Sequence, residues 1–231
     1  RDELVLCTKA GYFVGEPGHS LQPDFLEENL KLSLANLGAG QVDVFYLHNP
    51  ETQWREDDPE AFYRQIHSAF ERCEELAARG LLRFYGVATW DAFRRANNPV
   101  LLHRLVDAAR HIAGLRHRFR FVQLPFNLAM LEAFNRRDQR GGTSLLQAAG
   151  ELGLTVIGSA TVFQGRLTRN LPETLAAKFN RLTTDAQRAI QFSRSTPGLA
   201  VSLVGMSNPA HVAENLAVKN VAPLAEPDYY A

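Results

Sequence analysis

The sequence predicts a parallel α/β barrel, and three observations carry that prediction. Six short runs rich in Val, Phe and Leu are continuously apolar rather than alternating, as strands covered on both faces are. Amphipathic helical runs separate them, so strand and helix alternate along the chain and call for right-handed parallel crossovers. Polar residues gather at the C-terminal ends of most strands: Lys9, His48, Thr89, Gln123, Ser159 and Ser207. An open doubly wound sheet binds at one switch point, whereas a barrel brings many strand ends to one mouth, so the barrel is favoured.

The first strand run is LVLCTKAG, residues 4–11. The helix DFLEENLKLSLANLG opens on Asp24 after Pro23, sets Phe25, Leu26, Leu30, Leu34 and Leu37 on one face, and stops at Gly38. VDVFYLHN (42–49) is the second strand. PEAFYRQIHSAFERCEELAARG then repeats the helical pattern with Phe62, Ile66, Ala69, Phe70, Cys73 and Leu76, ending at Gly80. Further strands read at 84–90, 119–127, 155–162 and 199–207, and further helices at about 92–112, 143–152, 183–194 and 209–219. The Arg/Gly-rich bend 134–143 reads as a mobile loop. No Pro/Gly/Ser linker divides the chain, so residues 1–231 are expected to form one domain.

Composition narrows the function. The chain is 45% hydrophobic and 22% charged, with 25 basic and 25 acidic side chains that cancel. Such a balance offers no field to recruit nucleic acid or an anionic membrane. No apolar run reaches the roughly 20 residues that span a bilayer. The N-terminal RDELVLCTKAG has no signal-peptide architecture. Cys7 and Cys73 form no disulfide framework and no metal spacing; Cys7, inside an apolar run, reads as a small buried hydrophobe. A reducing, cytoplasmic setting is the expectation that fits best.

Candidate chemistry concentrates at the strand ends. Lys9, in CTKAG, must pair, reach solvent or lose hydration, and the last lowers its pKa. His48 titrates near neutrality and can donate or accept a hydrogen bond. The other six histidines read as surface or helix-face residues, with His67, His103, His111 and His117 in or beside helical runs. No HxH, HExxH or carboxylate cluster suggests a metal. Gln123 interrupts an apolar strand, and its amide must be satisfied internally or by a ligand. Ser207-Asn208-Pro209 starts the last helix after Gly205, a ready anion site, although capping alone would explain the motif equally well.

Together these places resemble the aldo-keto reductases, carbonyl reductases that use NAD(P)H and are built on a TIM (β/α)8-type barrel. The matching pieces run over nearly the whole chain: Thr8-Lys9, the Ser33 to Leu37 run, Val42 to His48, Gly86-Val87, Gln123 and Gly153 to Ile157. Gln164-Gly165-Arg166-Leu167 and the segment Gly205 to Leu216 complete them. The resemblance implies that His48 hydrogen-bonds a substrate carbonyl and that Lys9 pairs with the tyrosine that protonates it. It further implies cofactor contacts at Thr89, Gln123, Ser159, Thr161, Gln164, Gly165 and Arg166, and at Gly205, Ser207, His211, Glu214 and Asn215, for NADP(H) or NAD(H). Tyr12, Trp54 and Trp90 are expected to line a pocket for a small aldehyde, ketone or sugar carbonyl, with the cover of a helix as the alternative for Trp54.

The family pattern is incomplete here. Its catalytic tetrad is Asp, Tyr, Lys and His, and its Asp-Thr-Ala-x-x-Tyr-Gly type of run has no counterpart in this sequence. Only six of eight βα units are counted. The expectation is a preceding segment of about 70 residues, with a second chain that completes the barrel, or a truncated, catalytically dead remnant, as the alternatives. Tyr12 is a candidate substitute acid, although it leaves the wrong strand. Ala88-Thr89 stands where the family has Ser-Asn, Ser159 where a Tyr often stacks on the nicotinamide, and Ala160-Thr161 where it has Ser-Pro. Gly205 and His211 replace the Lys and Arg that many members use for the 2′-phosphate, which leaves NADP against NAD open. The leading expectation is a reductase acting on a small carbonyl, with self-association left open. A catalytically impaired binding or regulatory subunit on the same barrel is the alternative. A lyase or isomerase is disfavoured because no paired carboxylates sit at strand ends.

Overall fold

A computed structural model describes residues 1, 3–16, 18–95, 100–226 and 229. Six strands form one parallel sheet in chain order: β1 (Cys7–Ala10), β2 (Val42–His48), β3 (Leu82–Ala88), β4 (Phe119–Pro125), β5 (Thr155–Ser159) and β6 (Leu199–Ser202). The long crossover helices are α1 (Pro23–Leu37), α2 (Pro59–Ala78), α3 (Leu102–Ala113), α5 (Leu145–Glu151) and α7 (Asp185–Arg194), with α8 (Pro209–Leu216) after β6. The fold is the parallel βα wall that the sequence predicts. Among the described residues β1 and β6 each pair on one side only, so the wall is not closed between them. No described helix is long and apolar enough to cross a membrane.

The helices form where their apolar stripes require them. Leu26, Leu30 and Leu34 of α1 are buried, and Gly38 ends the helix in the left-handed region at φ 59°. Pro23 is the first helical residue rather than Asp24, and Leu37 turns out to be exposed. In α2 all six residues of the predicted stripe are fully buried, and Asp58 caps the helix by accepting from the Ala61 N–H at 3.0 Å. These stripes cover one face of the sheet with Phe45, Leu47, Tyr85, Val87, Val122 and Leu124 in a single core. Val44, Tyr46 and Ala88 pack on the other face with Phe121.

Several expectations need correction. Helix α3 begins at Leu102 rather than near 92; residues 96–99 of that run, like Asp2, lie outside the described residues. Two short helices, α4 (Glu132–Asn135) and α6 (Glu173–Lys178), have too few turns to leave a periodic signal. The bend 134–143 is pinned, because the buried Gln139 accepts from the Leu102 N–H and bridges to Thr143. Cys7 is exposed, since β1 is an edge strand. His19 and His117 are buried rather than superficial.

One carboxylate ties β1 to its neighbour. Asp43 accepts from the Leu6 N–H, Arg1 and Arg83 at 2.9, 2.9 and 3.1 Å. The Leu6 N–H first, and then Arg83 and Arg1, hold its carboxyl below the ordinary carboxylate range against the opposing effect of burial. A depressed carboxyl contributes stability that is complete above the unfolded value and lost as pH falls through the folded one. Thermal melts of Asp43→Asn should therefore show a deficit at pH 7 that vanishes in acid. A second test concerns Gly86, where a Cβ would sit 2.3 Å from the Phe121 carbonyl oxygen. Gly86→Ala should cost about 1–3 kcal/mol, read as a lowered melting temperature. Gly40→Ala, with no atom within 4 Å of the added carbon, should be near neutral.

Candidate active site

Parallel pairing in chain order sends every strand C-terminus to the same end of the sheet. The register then sorts side chains into rows. Lys9 pairs with Tyr46, Tyr46 with Gly86, and Gly86 with Phe121. One step toward the C-terminal end, His48, Ala88, Gln123, Ile157 and Val201 form the next row. The Thr8 hydroxyl bonds Ser33 of α1, so its neighbour Lys9 faces away from the helices, on the side of Tyr46. Its ammonium stands 6.0 Å from the Tyr46 ring centre.

Lys9 and His48 share a half-buried environment with a defined electrostatic bias. Burial pulls the Lys9 ammonium below its ordinary value, with Cys7 acting in the opposite sense. Burial first, and then the charge of Lys9, lower the His48 value below its ordinary 6.5. His48 is therefore neutral at physiological pH and has one N–H to donate. The Tyr12 ring stands edge-on to it at 5.0 Å, and the Tyr12 hydroxyl accepts from the Asn49 amide at 3.0 Å. Tyr12 itself is 49% exposed. Glu51, which sequence reading passed over, accepts from the Trp90 and Asp91 N–H groups at 2.7 and 2.9 Å and so fixes the loop after β3.

At the β5–β6 side lies a cavity of about 520 Å³. Seven of the residues expected to hold a cofactor line it: Thr161, Gln164, Gly165, Gly205, His211, Glu214 and Asn215. The loop after β5 is shaped by left-handed backbone at Ala160, Phe163 and Gln164, a conformation non-glycine residues rarely adopt, and by Gly165 at φ 84°. Thr161 is buried and donates to the Leu203 carbonyl at 2.8 Å, joining this loop to the end of β6. Asn208 caps α8 by accepting from the Ala210 N–H at 2.9 Å. The Asn215 Oδ1 is buried with no hydrogen-bond partner among the described residues.

The other expected residues lie elsewhere. Arg166 is exposed and stacks 5.2 Å from the Phe163 ring centre, outside the cavity lining. Ser207 is exposed ahead of α8. Ser159 ends β5 opposite Pro125, and its carbonyl accepts from the Phe126 N–H. Thr89 is buried just past β3, where its N–H donates to the Gln123 carbonyl at 2.8 Å. Trp90 is 40% exposed at the strand-end surface. Trp54 packs edge-on against Phe62 and Tyr63 of α2, in the aromatic cover of the helical core.

A family profile described as "Aldo/keto reductase family" matches residues 1–230. Among curated relatives, D-threo-aldose 1-dehydrogenase from Pseudomonas sp. is 24% identical over 93% of this chain and 70% of its own length. Aldo-keto reductase yakc [NADP(+)] from Schizosaccharomyces pombe is 32% identical, over 42% of this chain and 27% of its own. The holo form of aldo-keto reductase AKR11C1 from Bacillus halodurans superposes with a TM-score of 0.67 at 20% identity, covering 100% of this chain and 72% of that one.

The electrostatics make a titration test. NMR should place the His48 midpoint below 6.5. Lys9→Met should raise it only part of the way back, because burial, the larger cause, remains. An unchanged midpoint in that variant would remove Lys9 from the site's electrostatics.

Proposed function

The chain belongs to the aldo/keto reductase family, and on that premise we propose that it moves a hydride between a nicotinamide dinucleotide and a small aldehyde, ketone or sugar carbonyl. One observation carries the reading. The cavity formed by the expected cofactor residues opens at the same sheet end as Lys9 and His48. From β2 to the β5–β6 side is three to four strand spacings, roughly 14–19 Å, a span suited to an extended ligand with two functional ends.

The residues present fit such a cofactor. The unpartnered Asn215 Oδ1 accepts a hydrogen bond, as a nucleobase amino group would supply, and Gly165 and Gly205 leave room for close backbone approach. Arg166, exposed beside the Phe163 ring, is the proposed partner for phosphate charge. When bound, the reduced nicotinamide supplies the hydride. Neutral His48 donates its N–H to the carbonyl oxygen, orients it, and stabilises the oxyanion character that grows there. Lys9 lends positive potential to the same oxygen and tunes the acid that delivers the proton. In this reading that acid is the family's tyrosine, for which the 231 residues have no matching run. Tyr12 and Trp90 belong to the proposed carbonyl pocket, whereas Trp54 covers the Pro59–Ala78 helix.

The altered Ala88-Thr89 and Ser159 favour a second reading, a nucleotide-binding subunit without turnover. Fluorescence titration with NADH and NADPH, followed by turnover assays on a carbonyl panel, separates the two. The reductase reading predicts saturable quenching of Trp90. It also predicts turnover that falls about 100-fold in His48→Ala with folding intact. Binding without turnover supports the subunit reading, and no binding of either nucleotide overturns both.

A further inference from the structure

The geometry points to His19 as the positioning residue of the site: held in one neutral tautomer by Gln53, it clamps the His48 backbone and the Tyr12 ring. His19 comes from the loop after β1 and is 3% exposed. Its two ring nitrogens have different partners. The Gln53 amide nitrogen lies 2.8 Å from Nδ1 and 3.2 Å from the His19 carbonyl oxygen. Only an NH2 group can satisfy that carbonyl, so the Gln53 amide orientation is fixed and Nδ1 must accept. The proton therefore sits on Nε2, which donates to the His48 carbonyl oxygen at 2.8 Å.

That bond acts where β2 ends. His48 is its last residue, and Asn49 follows in the left-handed region at φ 45° while its N–H donates to the Ala88 carbonyl. The peptide between His48 and Asn49 is thus held from one neighbouring strand and one loop. The same two residues fix Tyr12. Its ring is edge-on to both His19 and His48 at 5.0 Å, and its hydroxyl accepts from the Asn49 amide, which leaves the phenolic O–H free to donate outward. Gly11 makes the arrangement sterically possible. A Cβ there would lie 2.5 Å from the His48 oxygen and 3.0 Å from His19 Nε2. Two rings, Tyr12 and His19, thereby hold the ring and carbonyl of His48, the residue proposed to orient the substrate, and the clamp's effect on turnover rests on that proposed function.

Two variants and one spectrum test it. His19→Phe keeps ring volume beside Tyr12 but removes both polar bonds, whereas His19→Gln restores a donor toward the His48 oxygen. In the reductase reading His19→Phe lowers kcat on the order of 10-fold to 100-fold with nucleotide affinity unchanged, and His19→Gln recovers most of the loss. Equal activity of His19→Phe and the unmodified chain, or no recovery in His19→Gln, overturns the clamp. If the unmodified chain turns over no carbonyl, the functional reading fails alone and NMR decides the clamp. Nitrogen-15 spectra of the unmodified chain should show His19 protonated at Nε2 and bare at Nδ1. His48 ring signals should be single there and in His19→Gln, and broadened or doubled in His19→Phe. A proton on His19 Nδ1, or His48 signals alike in all three proteins, contradicts it. Should His19→Phe fail to fold, Gln53→Leu replaces it, with a mixture of His19 tautomers expected and an unchanged Nε2–H form contradicting.

Discussion

Everything in this molecule depends on the in-order parallel register of six strands. Because no strand reverses, each contributes its C-terminal end to one rim, and period-two alternation decides which side chains arrive there. A slip of one residue in β2 would send His48 and Tyr46 into the helical core and bring Phe45 and Leu47 to the site face. The fully buried Phe45, Leu47, Tyr85, Val87 and Val122 make that slip prohibitively unfavourable. Packing on the helix side thus specifies chemistry on the other.

Two further devices refine what the register provides. Gly86 lets β4 come close enough for the Phe121 and Tyr46 rings to meet at 6.5 Å across it, which builds the floor beneath the His48 row. At the far side, left-handed Ala160, Phe163 and Gln164 cost on the order of 1–3 kcal/mol each, and the Thr161 bond to the end of β6 helps hold them.

The elements written in apolar periodicity were legible in the sequence. The core stripe of α2 and the run of β2 are found where the pattern puts them, because their burial is set by local spacing. Strand ends were read too long: the run at 155–162 pairs only through Ser159, since Ala160 turns left-handed although its composition is strand-like. The cavity residues after β5 and β6 were legible through resemblance, and the structure gathers seven of them. His19 was not legible, because its burial depends on a loop folding back onto His48, and nothing in GEPGHSLQ encodes that return. Glu51 was missed for the same reason, its partners lying on the loop after β3.

In the proposed function, one extended nucleotide-like ligand occupies the strand-end rim from the β5–β6 cavity toward His48. Amide hydrogen exchange of the chain, with and without saturating NADH and NADPH, tests it most directly. The account predicts slowed exchange in 160–168 and 203–216, joined by the loops after β2 and β3, with the outer faces of α2 and α3 unchanged. Exchange unaltered at the cavity loops, or slowed only on the helical exterior, would contradict it.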